Sequence, residues 1–104
     1  MKAVFTSLAV AGLLMAGNAM AVDMPADGKA KCGACHTIET KKIGPAWKDV
    51  AAKYKGQKDA EKTLVEHITK GGQFGWKMSN MPAKGMGASD AQIAALAKFI
   101  MTLN

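Results

Sequence analysis

Apolar residues recur along this chain at the spacing of helices, and nowhere at the alternation of a half-buried strand. In residues 46–55, Trp47, Val50, Ala51 and Tyr54 fall at i, i+3, i+4 and i+7, and Gly56 closes the run. Residues 60–70 follow Asp59, put Leu64, Val65 and Ile68 on one face, and stop at Gly71-Gly72. The last segment is the clearest: Ser89 and Gln92 form a capping box, after which Ile93, Leu96, Ala97, Ile100 and Leu103 line one stripe. A further helix is expected over 24–36, with Asp23 as a possible cap and Pro25 near the first turn, where its missing N–H costs least. The pattern predicts an all-α domain of about four helices.

One stretch breaks the period. Residues 71–88, GGQFGWKMSNMPAKGMGA, run for 18 residues without a regular apolar repeat, which is long for a loop in a compact domain. The stretch carries Phe74, Trp76, Met78, Met81 and Met86 beside five glycines. That is too apolar for a linker, so it should pack on something.

A second apolar stretch has another meaning. Met1 and Lys2 give a short positive start, residues 3–17 are uncharged and mostly apolar, and Ala19 and Ala21 hold the small-residue positions that signal peptidase reads. The run is shorter than the roughly 18 to 20 residues needed to span a bilayer. Residues 1–21 are therefore expected to be a cleaved signal peptide and residues 22–104 one exported domain that does not span the membrane. About 83 residues remain, a size at which exported domains commonly lean on disulfides, a metal or a cofactor. Cys32 and Cys35 are the two cysteines, and three positions apart they would close only a tiny loop. Something else has to complete the core.

Charge changes the picture less. All 14 basic residues are Lys, against 8 acids, for a formal net charge of +6. Arginine, the preferred residue for bidentate phosphate and base contacts, is absent, which speaks against nucleic acid as a partner. A lysine surface serves solubility, or steers the protein onto acidic partners for brief encounters.

The candidate chemistry lies in KCGACH, residues 31–36. Cysteines at i and i+3 share one side of a helical turn, and His36, turned about 100° further, can point its imidazole from that side toward the same object. The arrangement suits a haem, with two thioether bonds and an axial nitrogen, and C-x-x-C-H is the attachment signature of haem c. Two other readings use the same residues. A redox disulfide belongs at the start of a helix after a strand, and no strand is predicted. Zinc would need a fourth ligand, and only His67 is on offer.

With KCGACH stand IGPAWKDVAAKY, the GG and GW of the long loop, a Met-Pro pair in NMPAKG and the closing amphipathic helix. Together these resemble the small class I bacterial cytochromes c, monohaem periplasmic electron carriers with His/Met ligation, over essentially all of residues 22–104. The resemblance implies a few helices wrapped around one haem, the first and last crossing near their middles. It also implies one haem c attached through Cys32 and Cys35, with His36 as one axial ligand. For the second ligand the loop offers Met78, Met81 and Met86, each of which packing alone would explain. The resemblance selects Met81, because the ligand methionine of the family is followed by proline.

Further roles carry over in the same way. Pro45 matches the proline whose carbonyl takes the Nδ1 proton of the axial histidine. His67 and Trp76 match residues that hydrogen-bond a haem propionate, although a surface histidine is the plainer reading of His67. Trp47, Tyr54, Leu64 and Ile68 are candidate pocket residues. One departure stands out: Lys84 occupies a position where close members often carry an asparagine that bonds the methionine sulfur. The implied function is a periplasmic, monomeric one-electron carrier and not an enzyme. Its redox partners would be an oxidase, a nitrite reductase or a peroxidase, meeting a ring of Lys29, Lys31, Lys41, Lys42, Lys77 and Lys84. The alternatives are a five-coordinate haem enzyme or gas sensor, and a thiol-disulfide oxidoreductase.

Overall fold

The computed structural model describes residues 22–103; the expected signal peptide, residues 1–21, lies outside the described residues. Four helices follow in chain order: α1 Ala26–Lys31, α2 Trp47–Tyr54, α3 Ala60–Lys70 and α4 Asp90–Ile100. Among the described residues there is no strand, and Gly72 and Met81 form an isolated antiparallel bridge. The fold is all-α, as the periodicity predicted.

The last helix organises the others. Ser89 Oγ accepts from the Gln92 backbone N–H at 3.2 Å, and Gln92 Oε1 accepts from the Ser89 N–H at 2.9 Å, which satisfies donors that a helix start leaves open. Gln92 Nε2 also donates to Asp27 Oδ1 at 3.1 Å and so ties α4 to α1. The stripe Ile93, Leu96, Ala97, Ile100 and Leu103 is buried, and through it α4 packs on α3, α2 and α1. Burying one such Ile or Leu side chain contributes roughly 1.5–3 kcal/mol.

The crossing of α1 and α4 depends on a glycine. A Cβ added to the buried Gly28 would lie 2.9 Å from Trp47 Cη2 and 3.2 Å from Leu96 Cδ2. Hydrogen in place of a side chain leaves room there for the Leu96 side chain of α4 and the Trp47 ring of α2.

The first helix is shorter than expected. It ends at Lys31, Cys32 is its C-cap, and residues 32–35 form a turn rather than the rest of a helix over 24–36. Gly33 is a poor helix residue, and it follows the cap directly. Pro25 sits at the N-cap and Asp23 supplies no side-chain cap. One helix-like bond survives in the turn, from the His36 N–H to the Cys32 carbonyl at 3.0 Å. That bond keeps the imidazole on the side of the two sulfurs.

In α2, Trp47, Val50, Ala51 and Tyr54 are all buried, as the spacing required; in α3 Leu64 is buried while Val65 and Ile68 are half-buried. Among the described residues no polar or charged side chain is buried.

Candidate functional site

Cys32, Cys35, His36, Pro45, His67, Trp76 and Met81 all line one apolar cleft, whose walls include Trp47, Tyr54, Leu64 and Ile68. Helices position the walls, and two loops position the reactive groups. The first loop connects α1 to α2. The Gly44 N–H donates to the Cys35 carbonyl at 2.7 Å, and the Trp47 N–H donates to the Thr37 carbonyl at 2.9 Å, so the segment after the cysteines folds back against them.

That return places the Pro45 carbonyl 2.8 Å from His36 Nδ1. A carbonyl can only accept, so Nδ1 must carry the proton and Nε2 is left with its lone pair. Burial pushes the His36 pKa below the ordinary histidine value, against the opposing effect of the Pro45 bond. Burial, the larger effect, favours the neutral ring, and the Pro45 bond sets which nitrogen is free; a neutral ring with a free nitrogen is the form that binds a metal. The ring lies 6.2 Å from Trp47, tilted by 38°. Both cysteines are half-buried, and they form no disulfide with each other. Burial raises the Cys32 pKa, and the neighbouring Cys35 raises it further.

The second loop, residues 71–88, is tied at three places. Gly72 and Met81 exchange two backbone hydrogen bonds of 2.9 Å, the Lys84 N–H donates to the Ile68 carbonyl at 2.7 Å, and the Met86 N–H donates to the Lys31 carbonyl at 3.0 Å. The side chain of Gln73 also donates to the Met78 carbonyl. Met78, Met81 and Met86 all line the cleft; Met78 and Met81 are half-buried there, whereas Met86 is 64% exposed. Lys84 takes a left-handed backbone with φ 59°, and its ammonium lies 3.8 Å from Asp90 at the start of α4. Both partners of that pair are exposed, so it contributes little stability.

His67 is half-buried on α3. Its Nδ1 is 3.3 Å from Tyr54 Oη, and its ring stacks on Phe74 at 3.7 Å with planes 7° apart. Trp76 is half-buried beneath the Lys53 ammonium, 4.4 Å from its ring centre. Two residues of this site escaped the reading of the sequence. Gly44 touches the His36 ring so closely that a Cβ would lie 2.4 Å from its Cε1; the signal was a glycine directly before Pro45 in IGPAW. Phe74 was read only as loop apolarity, and nothing in the sequence pointed it at His67.

The family model described as Cytochrome c matches residues 18–104. The chain belongs to the cytochrome c family. It is 43% identical over 97 residues to cytochrome c-551 of Pseudomonas aeruginosa, covering 92% of this chain and 91% of that protein. It is 46% identical over 98 residues to cytochrome c-552 of Nitrosomonas europaea, covering 93% and 92%. The crystal structure of wild-type Nitrosomonas europaea cytochrome c552 matches with a TM-score of 0.69 and 43% identity, over 75% of this chain and 96% of that one.

As a cytochrome c, the protein is an electron carrier with one covalently bound haem c, and Cys32 and Cys35 are its attachment residues. The cleft fits that group on its own chemistry. It offers two unpaired thiols three residues apart, a neutral imidazole with a free Nε2, and apolar walls without a buried charge. The missing core of a short chain is thereby accounted for.

Proposed function

We propose that the protein shuttles one electron at a time between membrane or periplasmic oxidoreductases in the periplasm, with His36 and Met81 as the two axial ligands of its haem c. The observation that carries this reading is that Met81, one of three methionines lining the cleft with the two cysteines and His36, is half-buried there. Its backbone is fixed there by both hydrogen bonds to Gly72. Haem c supplies a one-electron couple when bound, and a thioether is a soft ligand that favours the reduced iron. Pro45 orients the His36 ring, and the pinned loop holds the Met81 backbone beside the cleft. With both axial positions filled by the chain, no open position remains for a substrate, so the protein is not an enzyme in its own right.

The remaining assignments follow the same line. Residues 1–21 are removed as a signal peptide, and residues 22–104 act in the periplasm as a monomer. His67 and Trp76 serve a haem propionate, supported by their place on the cleft lining. Lys29, Lys41, Lys42, Lys77 and Lys84 are exposed and Lys31 is half-buried. They form a ring that meets acidic surfaces of partners such as an oxidase, a nitrite reductase or a peroxidase.

The ferric visible spectrum tests the ligand set. Met81→Ala is expected to abolish the long-wavelength band of methionine-bound ferric iron while the haem stays covalently attached, and Met86→Ala is expected to keep it. Loss of the band in the Met86 variant alone would move the ligand to Met86. Ready carbon monoxide binding by the reduced wild-type protein would replace the carrier by a five-coordinate enzyme or gas sensor.

A further inference from the structure

Phe74 has φ 55°, a left-handed backbone that bulky side chains rarely adopt. Such a conformation persists where surrounding contacts over-determine it, and it points to a role. Here one contact holds the backbone: the Phe74 carbonyl accepts from Lys53 Nζ at 3.0 Å, and the same ammonium sits over Trp76 at 4.4 Å. Another holds the ring, which lies against Gly72 so closely that a Cβ there would be 3.2 Å from Phe74 Cζ. The outcome is a phenyl ring laid flat on the His67 imidazole at 3.7 Å.

Tyr54 completes the enclosure from α2. Its ring stands edge-on to His67 at 5.8 Å and 70°, and its Oη is 3.3 Å from His67 Nδ1. Burial raises the Tyr54 pKa, so it stays a phenol and has a proton to donate. The hydroxyl can donate to Nδ1 or accept from it; donation would make Nδ1 the acceptor and leave the imidazole proton on Nε2, which has no protein partner among the described residues.

We propose that Phe74, Tyr54 and Lys53 are positioning residues for His67: the Lys53-held Phe74 ring fixes the imidazole plane, and the Tyr54 hydroxyl fixes the tautomer, so that His67 offers a neutral Nε2–H donor to an anionic group at the cleft. The proposal rests on the reading of His67 as a propionate partner. A neutral donor serves that purpose without adding a charge beside the iron. The surroundings act in the same direction, since burial lowers the His67 pKa, Glu66 opposes, and Lys53 and Lys70 lower it further. Lys53 and Tyr54 come from α2, Glu66 and Lys70 from the same helix, and the loop contributes the uncharged Phe74.

The side-chain nitrogens of His67, followed by NMR against pH in the ferrous holoprotein, decide it. In the wild-type protein the neutral ring is expected to carry its proton on Nε2. Tyr54→Phe should mix the two tautomers. Phe74→Gly, which also relieves the backbone, should raise the His67 midpoint by about half a unit or more by opening the ring to water. Phe74→Tyr should restore it. Should Phe74→Gly lose its visible spectrum or helical signal, Phe74→Ala removes the same ring without altering any charge and is read on the same nitrogens. A wild-type proton on Nδ1, or variants that leave tautomer and midpoint unmoved, would overturn the proposal. The reduction potential of His67→Ala separates the two ideas: an unchanged potential removes the propionate role and leaves the tautomer result to stand by itself.

Discussion

Gly44 shows how a residue without a side chain can set the chemistry of another. A Cβ there would lie 2.4 Å from Cε1 and 2.9 Å from Nδ1 of His36, so Gly44→Ala must push the imidazole away from the Pro45 carbonyl. The expected cost is about 1–3 kcal/mol of stability, as for other over-packed sites, with an altered axial-ligand spectrum and the haem still attached; thermal unfolding followed in the visible band measures both. His67 gives a second prediction at this scale. A proton on His67 adds positive charge near the iron and favours the reduced state, so the potential should fall as pH rises through its pKa. Burial places that pKa below the ordinary histidine range, and voltammetry against pH would show no such fall in His67→Ala. Cys32 and Cys35 were legible in the sequence, because paired attachment admits one residue type at a fixed spacing, with His36 directly after them; Met81 was set apart from Met78 and Met86 only by the resemblance of its Met-Pro pair. Gly44 and Phe74 were not legible, since what they do depends on a ring brought from elsewhere in the chain.

Among the elements, legibility followed the strength of local signals. The capping box and five-residue stripe of α4 appear where the pattern put them, because both depend on residues a few positions apart. Removing one half of that box in Ser89→Ala should cost about 1 kcal/mol in chemical denaturation. The extent of α1 differs from the expected 24–36 because the start signals at Asp23 and Pro25 say nothing of where a helix ends, and Gly33 directly after the Cys32 cap favours a turn. A turn with one helix-like hydrogen bond achieves the same grouping with fewer helical residues. At Lys84 the loop departs from what its side chain prefers. The φ of 59° suits asparagine far better than lysine. Lys84→Asn should therefore raise stability by up to about 1 kcal/mol in the same assay, whatever it does at the methionine sulfur.

At the scale of the molecule, four short helices surround a cleft that a covalent group fills, and the apolar periodicity alone could not show where that filling ends. The core residues Trp47, Tyr54 and Leu64 belong to the buried cluster and to the cleft wall at once. Cys32→Ala and Cys35→Ala are accordingly expected to lose helical circular dichroism along with stable attachment, because the cofactor is part of what the helices fold upon. Surface charge acts at the same scale. With 14 lysines against 8 acids, electron transfer to an acidic partner should slow as salt is raised, which stopped-flow rates at several ionic strengths would measure.

The paired hydrogen bonds between Gly72 and Met81 make segment 72–81 a closed buckle whose foot is the end of α3. The Met81 backbone stays at the cleft while that buckle is shut, since it is one side of the clasp. Loss of the methionine and fraying of the α3 terminus should then be a single opening event. In amide hydrogen exchange, the N–H groups of Gly72, Met81 and Lys84 would share one opening free energy. With Met81 as the proposed ligand, that shared value would also set how often this side of the cleft opens to solvent.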